Sequence, residues 1–202
     1  MKRWVKICGI TRVEDAEAAV AAGADALGVN FCASSPRFCE RSTAADIVAQ
    51  VGSLVTVFGL FVDASREEIE SVIDETGVSG IQLHGDEPAH EALGWGLPVL
   101  RAIRVSSTSM VSDALGSAKG YRLLLDSPRG GGSGTAFDET LVAGHDLSAA
   151  VVAGGLTAAN VAERIRRLRP FGVDVSSGVE LAPGIKDVGR VREFVRNAKS
   201  AG

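Results

Sequence analysis

Five places in this chain hold residue types that could do chemistry on a small anionic molecule. Cys8 follows an apolar run, Trp4-Val-Lys-Ile-Cys, and would be a base or nucleophile as its thiolate. At an ordinary thiol pKa of about 8.5 only roughly 3% is ionised at pH 7, so positive charge nearby would matter. Lys6 is two residues earlier and shares a face with Cys8 if the run is a strand, although an inward acid such as Asp174 could neutralise it. Asp126 ends a second apolar run, Tyr121-Arg-Leu-Leu-Leu-Asp. As a general acid it must hold its proton near neutral pH, which partial burial favours. Arg37, after Pro36, offers a guanidinium fork that suits a carboxylate. Gly154-Gly155-Leu-Thr and Ser176-Ser177-Gly178-Val-Glu are two glycine-bearing turns, one opening a helix and one forming a short extra turn. Glycine lets backbone approach a ligand closely, and helix starts present unpaired N–H groups to a phosphate.

Each residue also has a plainer reading when taken alone. Cys8 is a small hydrophobe, Asp126 a loop hydrogen bonder, Arg37 a solvated side chain, and the glycines ordinary turns. Their joint placement decides, and that depends on the elements that carry them. Short apolar or β-branched runs occur at Trp4–Cys8, Ala26–Phe31, Leu54–Val62, Gly80–Leu83, Val99–Val105, Tyr121–Asp126, Ala150–Ala153 and Gly172–Val175. Helical stretches follow at Val13–Ala22, Thr43–Val51, Ser65–Thr76, Glu87–Gly94, Ser107–Ser117, Glu139–His145, Ala158–Leu168 and Asp187–Lys199. Ile69, Val72 and Ile73 recur at helical spacing, and Ser65-Arg-Glu-Glu is a capping-box pattern.

The strand runs are nearly continuous in apolar residues, as in a parallel sheet covered by helices. Eight such units predict a single α/β domain over residues 1–202, a (β/α)8 TIM barrel of eight parallel strands. An open doubly wound sheet would carry a G-x-G-x-x-G turn after the first strand, and Ile7-Cys-Gly-Ile-Thr-Arg has none. Active sites of such barrels lie at the C-terminal strand ends, where Cys8, Arg37, His84, Asp126, Gly154, Asp174 and Ser177 fall. A phosphate site after the last two strands recurs in this fold, so the expected partner is a small phosphate ester.

Composition narrows the class. The 202 residues are 46% hydrophobic with 21 basic and 25 acidic side chains, net −4. That argues against disorder and against a nucleic-acid partner. The longest strongly apolar run, Leu54–Val62, is too short to span a membrane, and no export leader opens the sequence, so a cytoplasmic protein is expected. The three cysteines are expected to be free thiols, Cys32 and Cys39 being inert. His84 is the one histidine at a strand end, while His90 and His145 are expected on helix surfaces. No metal site is expected, since His84 lacks a second ligand at suitable spacing.

In order along the chain stand Lys6-Ile-Cys-Gly-Ile-Thr-Arg with Glu14-Asp-Ala, Gly23-Ala-Asp, Ser35-Pro-Arg, Leu60-Phe-Val-Asp, Gln82-Leu-His-Gly-Asp-Glu, Leu124-Leu-Asp-Ser, Gly132-Ser-Gly-Thr, Phe137-Asp, Ala153-Gly-Gly-Leu with Asn160-Val, and Asp174-Val-Ser-Ser-Gly-Val-Glu with Pro183-Gly-Ile-Lys-Asp. This series resembles the phosphoribosylanthranilate isomerases of tryptophan biosynthesis over nearly the whole chain. The resemblance implies an Amadori rearrangement of N-(5′-phosphoribosyl)anthranilate without a cofactor, by an aldose–ketose isomerase that is a monomer or homodimer. It implies Asp126 as general acid at the ribose ring oxygen and Cys8 as general base at C2. It also implies Arg37 on the anthranilate carboxylate, and Gly154, Gly155, Ser177 and Gly178 around the phosphate. Asp174 then lies near the reacting amine or ribose hydroxyls, and His84, in its own motif, among the substrate-binding residues. Two departures stand out: Glu139 follows Asp138 where the family usually carries Trp, and Phe38-Cys39-Glu40 after Ser-Pro-Arg is unusual.

Three rivals have distinct signatures. A phosphoribosyl-imidazolecarboxamide isomerase of histidine biosynthesis would resemble a two-aspartate site, against Cys8. A non-catalytic phosphometabolite-binding or scaffold barrel would not need both Cys8 and Asp126. A Schiff-base role for Lys6 would put the amine below the rim of the barrel.

Overall fold

A computed structural model describes residues 3–127 and 138–201. The motif residues Gly132-Ser-Gly-Thr and Phe137 lie outside the described residues. Eight strands form a closed barrel in which each pairs with the next: β1 Trp4–Cys8, β2 Ala26–Asn30, β3 Thr56–Phe61, β4 Gly80–Leu83, β5 Val99–Arg104, β6 Arg122–Asp126, β7 Val151–Val152 and β8 Gly172–Val175. All pairings are parallel, and β1 closes on β8 with Lys6 opposite Asp174. Around them lie α1 Val13–Ala21, α2 Arg41–Val51, α3 Arg66–Thr76, α4 Thr108–Ser117, α5 Val161–Leu168 and α6 Val188–Ser200. The barrel expectation is met, and every predicted strand lies within two residues of an observed one at each end.

Strand alternation sorts each strand into two faces. Val5 and Ile7 of β1 pack outward with Ala16, Ala19, Phe194 and Val195 of the helices. Trp4 faces inward onto Phe58 and Phe171, with ring centroids 6.2 and 5.8 Å away. Two glycines make room for these rings. A Cβ at Gly80 would come within 2.6 Å of the Phe58 ring, and one at Gly172 within 2.8 Å of the Trp4 ring. The barrel floor is thus closed by aromatics. Above it the inward positions turn polar, with Lys6, Gln82 and Asp174 all buried.

Two predicted helices are corrected. The segment Glu87–Gly94 holds one 3-10 turn, Ala89–Ala92, and Glu139–His145 another, Glu139–Val142. In the first, the Glu87 carboxylate accepts from the backbone N–H of Asp63 and Gly85 instead of opening a helix, and Gly94 and Gly96 take left-handed φ of 76° and 68°. In the second, Ala143 is already extended at φ −60° and ψ 134°, Gly144 follows at φ 81°, and half-buried His145 lies beyond them rather than on a helix face. The Ser65 cap is as predicted, its hydroxyl accepting from Glu68 N–H at 3.2 Å. After β8 come the expected turn, Ser177–Val179, and an unpredicted hairpin of β9 Glu180–Ala182 and β10 Ile185–Lys186.

Candidate active site

The chain's chemistry gathers at the C-terminal strand ends because alternation and strand length put it there. Cys8, Arg37, His84, Asp126, Gly154, Gly155, Asp174, Ser177 and Gly178 all line one cavity of about 200 Å3. Half-buried Cys32 lines it too, while Cys39 is buried elsewhere with its thiol pushed up to about 11 by burial.

On one side β1 brings Cys8 and Lys6 to the same face. Both lie against Gly28 of β2, where a Cβ would stand 2.8 Å from Cys8 Sγ and 2.9 Å from Lys6 Nζ. Lys6 Nζ donates to Asp174 Oδ1 at 3.0 Å, the neutralising pair that the sequence raised. Burial opposes the Lys6 charge, but Asp174 and Cys8 outweigh it and hold the ammonium above its ordinary pKa. Burial pushes the Cys8 thiol up; Lys6 pulls it down, Asp174 pushes it further up, and the net direction is up.

Arg37 sits at the edge of this group, 9% exposed. Its Nε and Nη2 donate to the two oxygens of Glu180 at 2.9 and 2.7 Å, a bidentate pair. The fork expected to meet a ligand carboxylate is therefore already engaged on one edge, with Nη1 remaining. Lys186 approaches from β10, its Nζ donating to Glu180 Oε1 at 2.7 Å and to the Cys8 carbonyl at 2.6 Å. Burial would raise the Glu180 carboxyl, but Arg37 and Lys186 together hold it below the usual range. Sequence reasoning assigned no role to Glu180 or Lys186. Both stood in quoted motifs, yet their partners are 143 and 178 residues away in the chain.

Across the cavity β6 ends in Asp126, 1% exposed. Its Oδ1 accepts from the Ser127 backbone N–H at 2.7 Å, and its Oδ2 lies 3.1 Å from His84 Nε2. The Gln82 amide nitrogen is 3.0 Å from His84 Nδ1. With that amide donating, Nδ1 accepts and the Nε2–H faces the carboxylate. Gln82 and His84 share a face of β4 extended, so two alternating residues set the ring that Asp126 meets.

The third side is backbone. Gly154 and Gly155 take φ of 79° and 65°, and their N–H groups donate to nothing among the described residues. Asn160 braces this turn, accepting from Thr157 N–H and donating to the Gly155 carbonyl. At Gly178 a Cβ would fall 1.9 Å from the Leu156 carbonyl oxygen, so the two turns touch only because this residue is glycine. Together they form a concave rim of backbone suited to an anion. Among the described residues no three His, Cys, Asp or Glu side chains converge as a metal site requires, and no helix is long and apolar enough to cross a membrane.

Comparison with known proteins gives a consistent result. The family model for N-(5′-phosphoribosyl)anthranilate (PRA) isomerase matches residues 5–197. A Myxococcus xanthus protein named N-(5′-phosphoribosyl)anthranilate isomerase is 49% identical, covering 97% of this chain and 96% of that one. The structure of phosphoribosyl anthranilate isomerase from Thermotoga maritima superposes with a TM-score of 0.89 at 38% identity, over 99% of this chain and 100% of that one. A further isomerase structure, holding reduced 1-(o-carboxyphenylamino)-1-deoxyribulose 5-phosphate, superposes at 0.86 with 36% identity over the same shares.

Proposed function

The chain belongs to the N-(5′-phosphoribosyl)anthranilate isomerase family, and from that premise we propose how its residues divide the reaction. The protein is an aldose–ketose isomerase of tryptophan biosynthesis, converting N-(5′-phosphoribosyl)anthranilate to 1-(2-carboxyphenylamino)-1-deoxyribulose 5-phosphate. In this reading the chain acts as one catalytic domain on a small phosphorylated substrate.

Asp126 gives its proton to the ribose ring oxygen as the C1–O bond breaks, and the anthranilate nitrogen lone pair forms the C1=N bond. Cys8, as thiolate, takes the proton from C2, and the released electron pair makes the enolamine. The enolamine becomes the ketone as a proton returns to C1 and one leaves the C2 hydroxyl, so acid and base end the cycle as they began. Arg37 meets the anthranilate carboxylate with the edge of its guanidinium not held by Glu180. Gly154, Gly155, Ser177 and Gly178 hold the phosphate by backbone N–H groups. Asp174 and His84 border the sugar. Two anionic handles at the substrate's ends let remote binding energy set the sugar between acid and base.

The observation that carries this division is that Cys8 and Asp126, from β1 and β6, face one cavity between the Arg37 fork and the glycine turns. The deciding experiment generates N-(5′-phosphoribosyl)anthranilate in situ and follows loss of its fluorescence. Wild type should turn over, whereas Cys8→Ser and Asp126→Asn should bind a product analogue yet fail to turn over. Substantial turnover by either variant would reassign that residue.

A further inference from the structure

Cys8 is buried, and burial alone disfavours a thiolate. Five charged side chains face it or its immediate supports. From its own strand comes Lys6; from β8, Asp174; from the loop after β2, Arg37; from β9, Glu180; and from β10, Lys186. Lys6 and Asp174 compensate each other at 3.0 Å. Arg37 takes both oxygens of Glu180. Lys186 is then an additional cation on an anion already matched, with its own side chain 0% exposed. From α1, Asp15 accepts the Lys186 backbone N–H but spends its charge on the Nε and Nη2 of Arg12. With Cys8 as a thiol the five side chains sum to one positive charge; with Cys8 as a thiolate the set is neutral.

We propose that Lys186 is the positioning residue that readies Cys8 for proton abstraction. Its ammonium, fixed between Glu180 and the Cys8 carbonyl, leaves the buried cluster one positive charge in excess, and the Cys8 thiolate is the anion that completes it. The Cys8 carbonyl contact at 2.6 Å also fixes the end of β1 from which the thiol projects. Burial, with Arg37 beside it, weakens the hold of Lys186 on its proton, Glu180 and Cys8 act against this, and the net direction is down. The same coupling seen from the thiol has Lys186 pulling it toward the ionised form. This inference rests on Cys8 as the base, and its test reads the thiol without turnover.

The measurement is the rate of Cys8 alkylation by iodoacetamide across pH, resolved by peptide mass spectrometry so that Cys32 and Cys39 do not contribute. Lys186→Met should move the half-maximal pH upward and cut the rate at neutral pH about tenfold for each unit moved. Lys186→Arg should restore most of it. Glu180→Gln should move the midpoint the other way, because it removes an anion; general loosening of the fold would lower it too, but would also speed alkylation of buried Cys39, which should stay at the wild-type rate. An unchanged midpoint in a folded Lys186→Met protein overturns the proposal. If thermal melts show that variant unfolded, Glu180→Gln decides, and a midpoint that stays or rises overturns it. The base assignment fails separately, if Cys8→Ser retains turnover while these midpoints move as stated.

Discussion

Cys8 and Asp126 both end barrel strands, both are buried, and both face the same cavity, but their surroundings differ in kind. Around Cys8 stand five ionised side chains whose charges nearly cancel. Asp126 is held by an imidazole and one backbone N–H, with Gln82 fixing the imidazole behind it. The contrast fits the two tasks proposed for them. A buried thiol must be helped to lose its proton, which calls for compensating charge. A carboxylic acid that must deliver a proton is not helped by an adjacent ammonium or guanidinium, which would favour its ionised form, and Asp126 hydrogen-bonds to neither, meeting an imidazole and a backbone N–H instead. In the proposed division the base end governs charge and the acid end governs direction.

The largest expected effects come from removing the proposed base and the proposed acid. Cys8→Ser and Asp126→Asn should each lower kcat by roughly a hundredfold to ten-thousandfold, the range for a lost general acid or base. Affinity for a product analogue, measured by calorimetry, should change little. A variant that loses affinity as strongly as turnover would mean that its residue binds the ground state.

Arg37→Ala is next, and it breaks the base end in two ways. It removes the charged donor proposed to face the ligand carboxylate, worth about 1.5–3 kcal/mol, or roughly 10- to 150-fold in KM. It also leaves Glu180 with Lys186 alone. Arg37→Lys should not rescue KM, because a single ammonium cannot hold Glu180 through two bonds and still face the ligand. Steady-state kinetics on both variants check this, and full rescue by lysine would remove the bidentate pair from the argument.

A third test uses pH. The Glu180 carboxyl is held below its usual range by Arg37 and Lys186 against its own burial. A depressed folded-state pKa contributes stability that is complete above the ordinary value of about 4.3 and is lost as pH falls through the lower folded value. Glu180→Gln should therefore lower the melting temperature at neutral pH and flatten its decline in acid. Parallel acid limbs for variant and wild type would show that the carboxylate is not coupled to folding in this way.

Much of this was legible in the chain, for physical reasons that also mark where legibility stopped. The strands could be read because a parallel sheet covered on both faces leaves apolar runs, and Cys8 and Asp126 stood out as reactive residues closing such runs. The glycine turns were legible because a steric demand, as at Gly178 against Leu156, admits one residue type. Two helices were misread because segments 87–94 and 139–145 have helical composition, while the chain turns extended at Leu93 and Ala143 and then left-handed at Gly94 and Gly144, leaving one turn in each. Glu180 and Lys186 escaped because a short hairpin after the last barrel strand has no periodicity to announce it. What gives these side chains meaning is contact with Arg37 and Cys8, and contact across most of the chain is not a local pattern.

The smallest effect is expected at His84, and it tests the acid end most finely. The ring makes one hydrogen bond to Asp126 at 3.1 Å, while Ser127 N–H holds the other oxygen at 2.7 Å. Such a bond has a net worth of about 1 kcal/mol, so losing it costs roughly fivefold. His84→Ala should thus lower kcat by less than about tenfold, because Ser127 still aims the carboxyl group. KM should move little if the ring acts through Asp126, and rise with the loss if the ring also touches the sugar. A hundredfold or greater fall in kcat at constant KM would mean that the imidazole itself relays the proton. The acid end would then be a two-residue acid, and the division between an end that governs charge and an end that governs direction would no longer hold.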